Sequence, residues 1–179
     1  ATAVNLMRAH FQLPPLPLAT VTSFIGDGVR WLVTRALAGT NVDIDEALAV
    51  QKGFYLAHLA DDTTLYPGVA DGLAALHGAG HTLAIATNKP IEACEFVLTH
   101  FGIRHFFAHV LGGGSLPVLK PDPAMITAIM QASRAHPDAT WVIGDHHTDL
   151  ESARRAGVRS VFAAWGFGQS GAETPTVSL

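Results

Sequence analysis

The sequence predicts an α/β fold, a doubly wound parallel sheet accompanied by a small helical domain. Two observations carry this expectation. Up to about residue 60 the chain shows only helix and loop patterns, and after Pro67-Gly68 short apolar runs alternate with helical stretches. Apolar runs of that length, set between helices and bounded by turn residues, are strands of a parallel sheet covered on both faces.

The elements follow in order. Val4, Met7, Ala9 and Phe11 give residues 1 to about 13 one apolar side, and Leu13-Pro14-Pro15-Leu16-Pro17 stops that helix, because proline cannot continue it. A second helix over 18–24 breaks at Gly26-Asp27-Gly28, and a third, with Trp31, Leu32, Val33, Ala36 and Leu37, ends at Gly39. Asp43 is placed to cap a longer helix reaching His58, with Ile44, Ala47, Leu48, Phe54 and Leu59 in or near its stripe. Four helix–strand pairs come next: helices 69–78, 90–101, 123–135 and 148–156 lead into strands 82–86, 106–111, 140–144 and 159–163. The domains are therefore expected at 1–64 and 65–179. The stretch Gly166-Phe167-Gly168-Gln169-Ser170-Gly171 reads as a flexible loop beside the last strand.

Composition narrows the function. With 49% hydrophobic residues the 179-residue chain can bury a core, and no apolar run approaches the 18 or so residues that span a bilayer. A formal charge of −4 with 11 Lys and Arg argues against a nucleic-acid partner, which needs a basic face. The single cysteine, Cys94, rules out an internal disulfide and points to a cytoplasmic protein. Ten histidines are present without an HExxH motif. His105 and His109 have a ligand-like spacing, but their segment reads as the entry to an apolar strand. A small molecule is the expected partner, with neither membrane nor nucleic acid involved and the chain a monomer or homodimer.

The most informative stretch runs from Thr140 to Asp149, Thr-Trp-Val-Ile-Gly-Asp-His-His-Thr-Asp. A short strand stops at Gly144 and delivers Asp145 and Asp149 where a helix begins. Ligands of open α/β sheets sit at such strand ends. Two carboxylates there disfavour each other unless a cation compensates, and Mg²⁺, a hard ion that takes oxygen ligands, suits them. The plainer alternative is a strand terminus followed by an acidic first helical turn. Strand 82–86 ends in Thr87-Asn88-Lys89-Pro90, where a hydroxyl, an amide and a helix N-terminus could take an anion or simply cap the helix. Lys120 stands in the proline-rich turn Val118-Leu119-Lys120-Pro121-Asp122-Pro123.

The succession Thr-Asn, Lys-Pro and Gly-Asp-x-x-x-Asp on consecutive βα units resembles motifs two to four of the haloacid dehalogenase superfamily, and of its phosphoglycolate phosphatase-like members in particular. Phe24-Ile25-Gly26-Asp27-Gly28-Val29-Arg30 resembles their cap segment. Tyr66-Pro67-Gly68-Val69 looks like their return from cap to core, and Ala153-Arg154-Arg155-Ala156-Gly157 like the helix after motif four. The resemblance implies a Rossmann-like core with a helical cap, and Mg²⁺-dependent hydrolysis of a small phosphomonoester, 2-phosphoglycolate being the best single expectation, through an aspartyl-phosphate. It implies that Thr87 and Asn88 bind the phosphoryl group, that Lys120 neutralises its oxygens, and that Asp145 and Asp149 hold or position Mg²⁺. Arg30 becomes a candidate for a substrate carboxylate.

The chain departs from the family at motif one, a strand ending in Asp-x-Asp-Gly-Thr that carries the nucleophile. The sole Asp-x-Asp, Asp43-Ile44-Asp45, reads as a helix start, and Asp61-Asp62 follows no strand. The expectation is that this central strand, with its nucleophile, lies N-terminal to Ala1. Without it a gap of about two strand spacings, about 10 Å, separates the strands ending at Thr87 and Gly144. His146 stands where the family commonly has serine. The alternative reading is a non-catalytic relative that keeps the phosphate and metal pocket. A 2-halo acid dehalogenase is disfavoured by the acidic pair, and a phospho-acceptor receiver domain by the order of the motifs.

Overall fold

The computed structural model describes residues 1–179. They divide into two compact units, Ala1–Thr63 and Thr64–Leu179. No helix is long and apolar enough to cross a membrane.

The first unit holds α1 (Thr2–His10), α2 (Leu18–Thr22), α3 (Val29–Ala36) and α4 (Ile44–Ala57). Met7, Val21, Val33, Ala36 and Ala47 form its core. The register of α1 differs from the expected stripe, for Ala9 is exposed and Arg8 is buried in its place. The Arg8 guanidinium donates to the carbonyls of Pro14 and Ala36. It thereby satisfies carbonyls that the proline-rich turn and the end of α3 leave without helical donors. Asn5 pins the same turn through both ends of its amide to the backbone of Leu16, at 3.0 and 2.8 Å. Asp43 caps α4, its Oδ1 accepting from the Glu46 N–H at 2.9 Å, so Asp43-Ile44-Asp45 is a helix start, as read from sequence.

The second unit alternates α5 (Val69–Gly78), β1 (Leu83–Pro90), α6 (Ile91–His100), β2 (Phe107–Gly113), α7 (Ala124–Ser133), β3 (Trp141–Gly144), α8 (His147–Ala156) and β4 (Arg159–Phe162), and closes with β5 (Val177–Ser178). The four expected strands are present and all pairings are parallel. Two features go beyond expectation. β1 runs on to Pro90, which makes Thr87 and Asn88 part of the strand. β5 is an added strand in register with β4, Val161 opposite Val177; two residues carry no periodicity by which a sequence could announce it.

The strands fall into two sheets, β1–β2 and β3–β4–β5, and neither β1 nor β3 pairs with the other. This is the arrangement expected if the strands ending at Thr87 and Gly144 are not neighbours in the ladder. A cleft of about 450 Å³ is lined by Ala84 and Ala86 of β1, by Trp141 and Ile143 of β3, and by Lys120 and Asp149. On one side, Cys94 and Leu98 of α6 pack with Ile103 and Phe107 into a local core. On the other, Met125, Ile126 and Met130 of α7 and Leu150 and Ala153 of α8 are buried.

Candidate active site

The polar residues of the second unit converge on Lys120. Its backbone is held by Asn88 of β1: the Lys120 N–H donates to Asn88 Oδ1 at 2.8 Å, and Asn88 Nδ2 donates to the Lys120 carbonyl at 2.9 Å. Its Nζ donates to the Ala86 carbonyl at 2.6 Å and pairs with Asp149 Oδ1. The two charged side chains retain only 10% and 12% of their exposure. A buried ion pair is sustained only when its remaining donors and acceptors are met, and here most are.

The other Asp149 oxygen, Oδ2, accepts from the His146 N–H at 3.1 Å, while the His146 ring accepts from the Thr148 N–H. Together they form a capping box at the start of α8. Histidine at 146 thus performs with Nδ1 the acceptor role that a serine hydroxyl plays in such boxes. Both Asp149 oxygens are engaged within the protein. Gly144 is required by the same packing, since a Cβ there would overlap the Asp149 side chain.

Asp145 is arranged differently. Its Oδ2 accepts two backbone N–H groups, from Phe167 at 2.8 Å and Gly168 at 3.1 Å, so the loop expected to be flexible is tied to the first acid of the pair. Its Oδ1 remains available. Thr87 Oγ1 accepts from the Lys89 N–H at 3.2 Å, which leaves the hydroxyl hydrogen to donate elsewhere.

The structure therefore brings Thr87, Asn88, Lys120, Asp145 and Asp149 to the C-terminal ends of β1 and β3 and the turn before α7. Two of them are engaged within the protein. Asn88, read as a phosphate ligand, is 8% exposed and spends its amide on Lys120. Asp149, read as a metal ligand, spends its carboxylate on Lys120 and the α8 cap. Arg30 lies in the helical unit, exposed and donating to Asp45 at 2.7 Å. His105 belongs to a short turn before β2 and His109 to the strand itself. Sequence reasoning read the 166–168 loop only as flexible and missed its bonds to Asp145; the signal was the Gly-x-Gly spacing, which permits close backbone approach.

A cation at these strand ends would meet few protein donors. Asp145 offers one uncommitted carboxylate oxygen, a hard donor, and the second carboxylate is neutralised by a lysine. That suits Mg²⁺, which keeps several waters and takes few protein ligands, and would not suit an ion that needs a full protein cage.

Residues 1–163 match the haloacid dehalogenase-like hydrolase family. The chain belongs to that family. Among relatives of this hydrolase, the phosphoglycolate phosphatase of Pseudomonas putida is 36% identical over 188 residues, covering 100% of this chain and 69% of its own length. That of Psychrobacter arcticus is 35% identical over 176 residues, covering 93% of this chain and 76% of its own. A crystal structure described as a predicted phosphoglycolate phosphatase from Haemophilus somnus superposes with a TM-score of 0.91 at 28% identity, covering 98% of this chain and 84% of that one. CbbY from Rhodobacter sphaeroides shares the haloacid dehalogenase-like fold, with a TM-score of 0.83 at 20% identity.

Proposed function

We propose that this chain is a phosphoric monoester hydrolase that cleaves a small phosphorylated acid of the 2-phosphoglycolate type in the presence of Mg²⁺. Family membership and the phosphoglycolate phosphatase relatives support the reaction class. The observation that carries the reading is the state of Lys120. Its ammonium has three N–H donors, of which one goes to Asp149 and one to the Ala86 carbonyl. The third is free for a phosphoryl oxygen.

Each residue then has a task. Thr87 donates its hydroxyl hydrogen to a second phosphoryl oxygen, Lys120 neutralises charge at the first, and Asn88 and Asp149 keep Lys120 in place. Asp145 would hold Mg²⁺ through Oδ1, and the ion when bound supplies further charge neutralisation at the phosphate. Phosphoryl transfer depends mainly on such positioning and neutralisation. The covalent route implied by the resemblance transfers the phosphoryl group to a carboxylate and then to water. Asp145 and Asp149 are both engaged in holding the site, so that nucleophile is assigned to the Asp-x-Asp-Gly-Thr motif, which residues 1–179 do not contain. The cap role expected of the helical unit and the carboxylate-binding role expected of Arg30 belong to the same proposal; an exposed ion pair such as Arg30–Asp45 costs little to exchange.

The test is phosphate release from 2-phosphoglycolate and p-nitrophenyl phosphate in Mg²⁺. It compares residues 1–179 with the same chain preceded by a strand ending in Asp-x-Asp-Gly-Thr. The extended chain is expected to turn over. Lys120→Met or Asp145→Asn in it should lower kcat by about 10²–10³-fold, the usual cost of one charge-stabilising group. Absence of release by the extended chain from any phosphomonoester would overturn the proposal.

A further inference from the structure

The segment Trp165–Gly168 is built onto Asp145 more tightly than a connecting loop needs to be. Oδ2 of Asp145 receives the Phe167 and Gly168 N–H groups, which fills both of its lone pairs. The two glycines permit this. A Cβ on Gly166 would overlap the Asp145 carboxylate, and one on Gly168 would overlap the Asp145 carbonyl and meet His146 Cα at 2.9 Å. The base of the loop is braced as well. The Gly166 N–H donates to Ala163 O at 3.1 Å, Ala164 N–H to Leu179 O at 2.9 Å, and Leu179 N–H to Phe162 O at 2.9 Å. The added strand β5 thereby becomes the anchor of the loop.

We infer that the Gly166–Gly168 loop is a backbone clamp that makes Asp145 a one-oxygen ligand, and so sets the preference of the site for Mg²⁺ over Ca²⁺. The inference rests on the proposed role of Asp145 as a cation ligand. The physical ground is coordination geometry. Ca²⁺ takes six to eight oxygens in flexible arrangements and accepts carboxylates through both oxygens, whereas Mg²⁺ demands a near-octahedral shell at shorter distances and accepts one. With Oδ2 committed to two amides, Asp145 has only Oδ1 to give. Releasing the clamp frees Oδ2, loosens the aim of the carboxylate and opens the two-oxygen mode. Gly166, Phe167 and Gly168 are positioning residues in this account, and the backbone does the work, since the Phe167 side chain is exposed.

The experiment is equilibrium binding, read without turnover, by displacement of Mn²⁺ followed by electron paramagnetic resonance, with Mg²⁺ and Ca²⁺ as competitors. Gly168→Ala breaks the approach. Phe167→Pro deletes one donor without adding an atom at Gly168, and serves if the first variant does not fold. Gly72→Ala, in α5 with nothing within 4 Å of the added Cβ, is the control. The parent chain should prefer Mg²⁺. Either clamp variant should lose Mg²⁺ affinity by about tenfold, the lower end for groups that orient a metal ligand, and lose several-fold less for Ca²⁺. The control should match the parent. Parallel losses for both ions, or no loss, would overturn the clamp, because a merely structural loop would not change the ratio. Mn²⁺ binding by Asp145→Asn equal to that of the parent would overturn it at its premise. A shifted ratio in a chain whose extended form releases no phosphate would leave the clamp standing and sink the proposed hydrolysis.

Discussion

The two units of this chain are held together by different means. In Ala1–Thr63 the centre is apolar and closed: Met7, Val33 and Ala47 retain no exposure. In Thr64–Leu179 the sole buried residue of β1 is Asn88, β3 has none, and Ile143 of β3 is 64% exposed. Order at the strand ends there comes from polar bonds instead, running from Asn88 through Lys120 to Asp149 and, at the next acid, from Asp145 to the 166–168 loop. Within residues 1–179 the helical unit closes on one apolar core, whereas the α/β unit buries its apolar residues under α6, α7 and α8 and orders the facing ends of β1 and β3 by polar bonds.

The largest effect that would break this contrast lies in the helical unit. Met7→Ala removes a fully buried side chain and should cost about 2–5 kcal/mol. In residues 1–179, Ile143→Ala, at a strand position that is exposed there, should stay within about 0.5 kcal/mol. Urea unfolding followed by tryptophan fluorescence reports both regions, because Trp31 lies in the first unit and Trp141 and Trp165 in the second. Equal costs for the two substitutions would show that the open strands carry as much stability as the closed core.

A smaller effect tests the polar half of the contrast. Asn88→Ala leaves the Lys120 N–H and carbonyl without their partners, and an unsatisfied buried group costs about 1–3 kcal/mol. If Asn88 acts through Lys120, the variant in the extended chain should also lose phosphate release by about tenfold or more. Asn88→Asp, which retains the acceptor for the Lys120 N–H, should recover part of that loss. Recovery of neither stability nor turnover by Asn88→Asp would show that the amide acts on something other than the lysine backbone.

Most of the fold was legible because its elements are long or strongly punctuated. Asp43 before an apolar stripe, Gly68 before α5 and Pro14-Pro15 after α1 mark boundaries by local chemistry alone. The strands of the second unit were legible from short apolar runs ending at Thr87 and Gly144. Arg8 was not, since a lone arginine in an amphipathic helix is ordinarily solvated, and its burial depends on carbonyls brought in from Pro14 and Ala36. The candidate site was legible as a set of residues that the fold brings together, but the bonds among them were not. Thr87, Lys120 and Asp145 stand where their motifs put them, yet no spacing rule tells that Asn88 and Asp149 are consumed in holding Lys120. Nor does any tell that residues twenty or so positions beyond Asp145 return to bind it. Those are consequences of which strand ends meet, and they exist only in three dimensions.

The smallest effect concerns Cys94, the one cysteine of the chain, in the local core between α6 and β2. Burial pushes its thiol pKa up from the ordinary value, because the thiolate is poorly solvated there. The sign follows from linkage. A group that binds its proton more tightly when folded contributes stability that is complete below its unfolded pKa, about 8.5, and is lost as pH rises through the folded value. The loss cannot exceed about 1.4 kcal/mol per pH unit for one proton. The α/β unit should therefore weaken above about pH 8.5 more steeply than in a Cys94→Ala chain, whose constant cavity cost cancels when slopes are compared. Urea unfolding at a series of pH values from neutral upward, read at Trp141 and Trp165, measures the difference in slope. Identical slopes would mean that the thiol ionises as readily in the folded unit as in the unfolded chain, and that this corner of the α/β unit is as open to water as its strands.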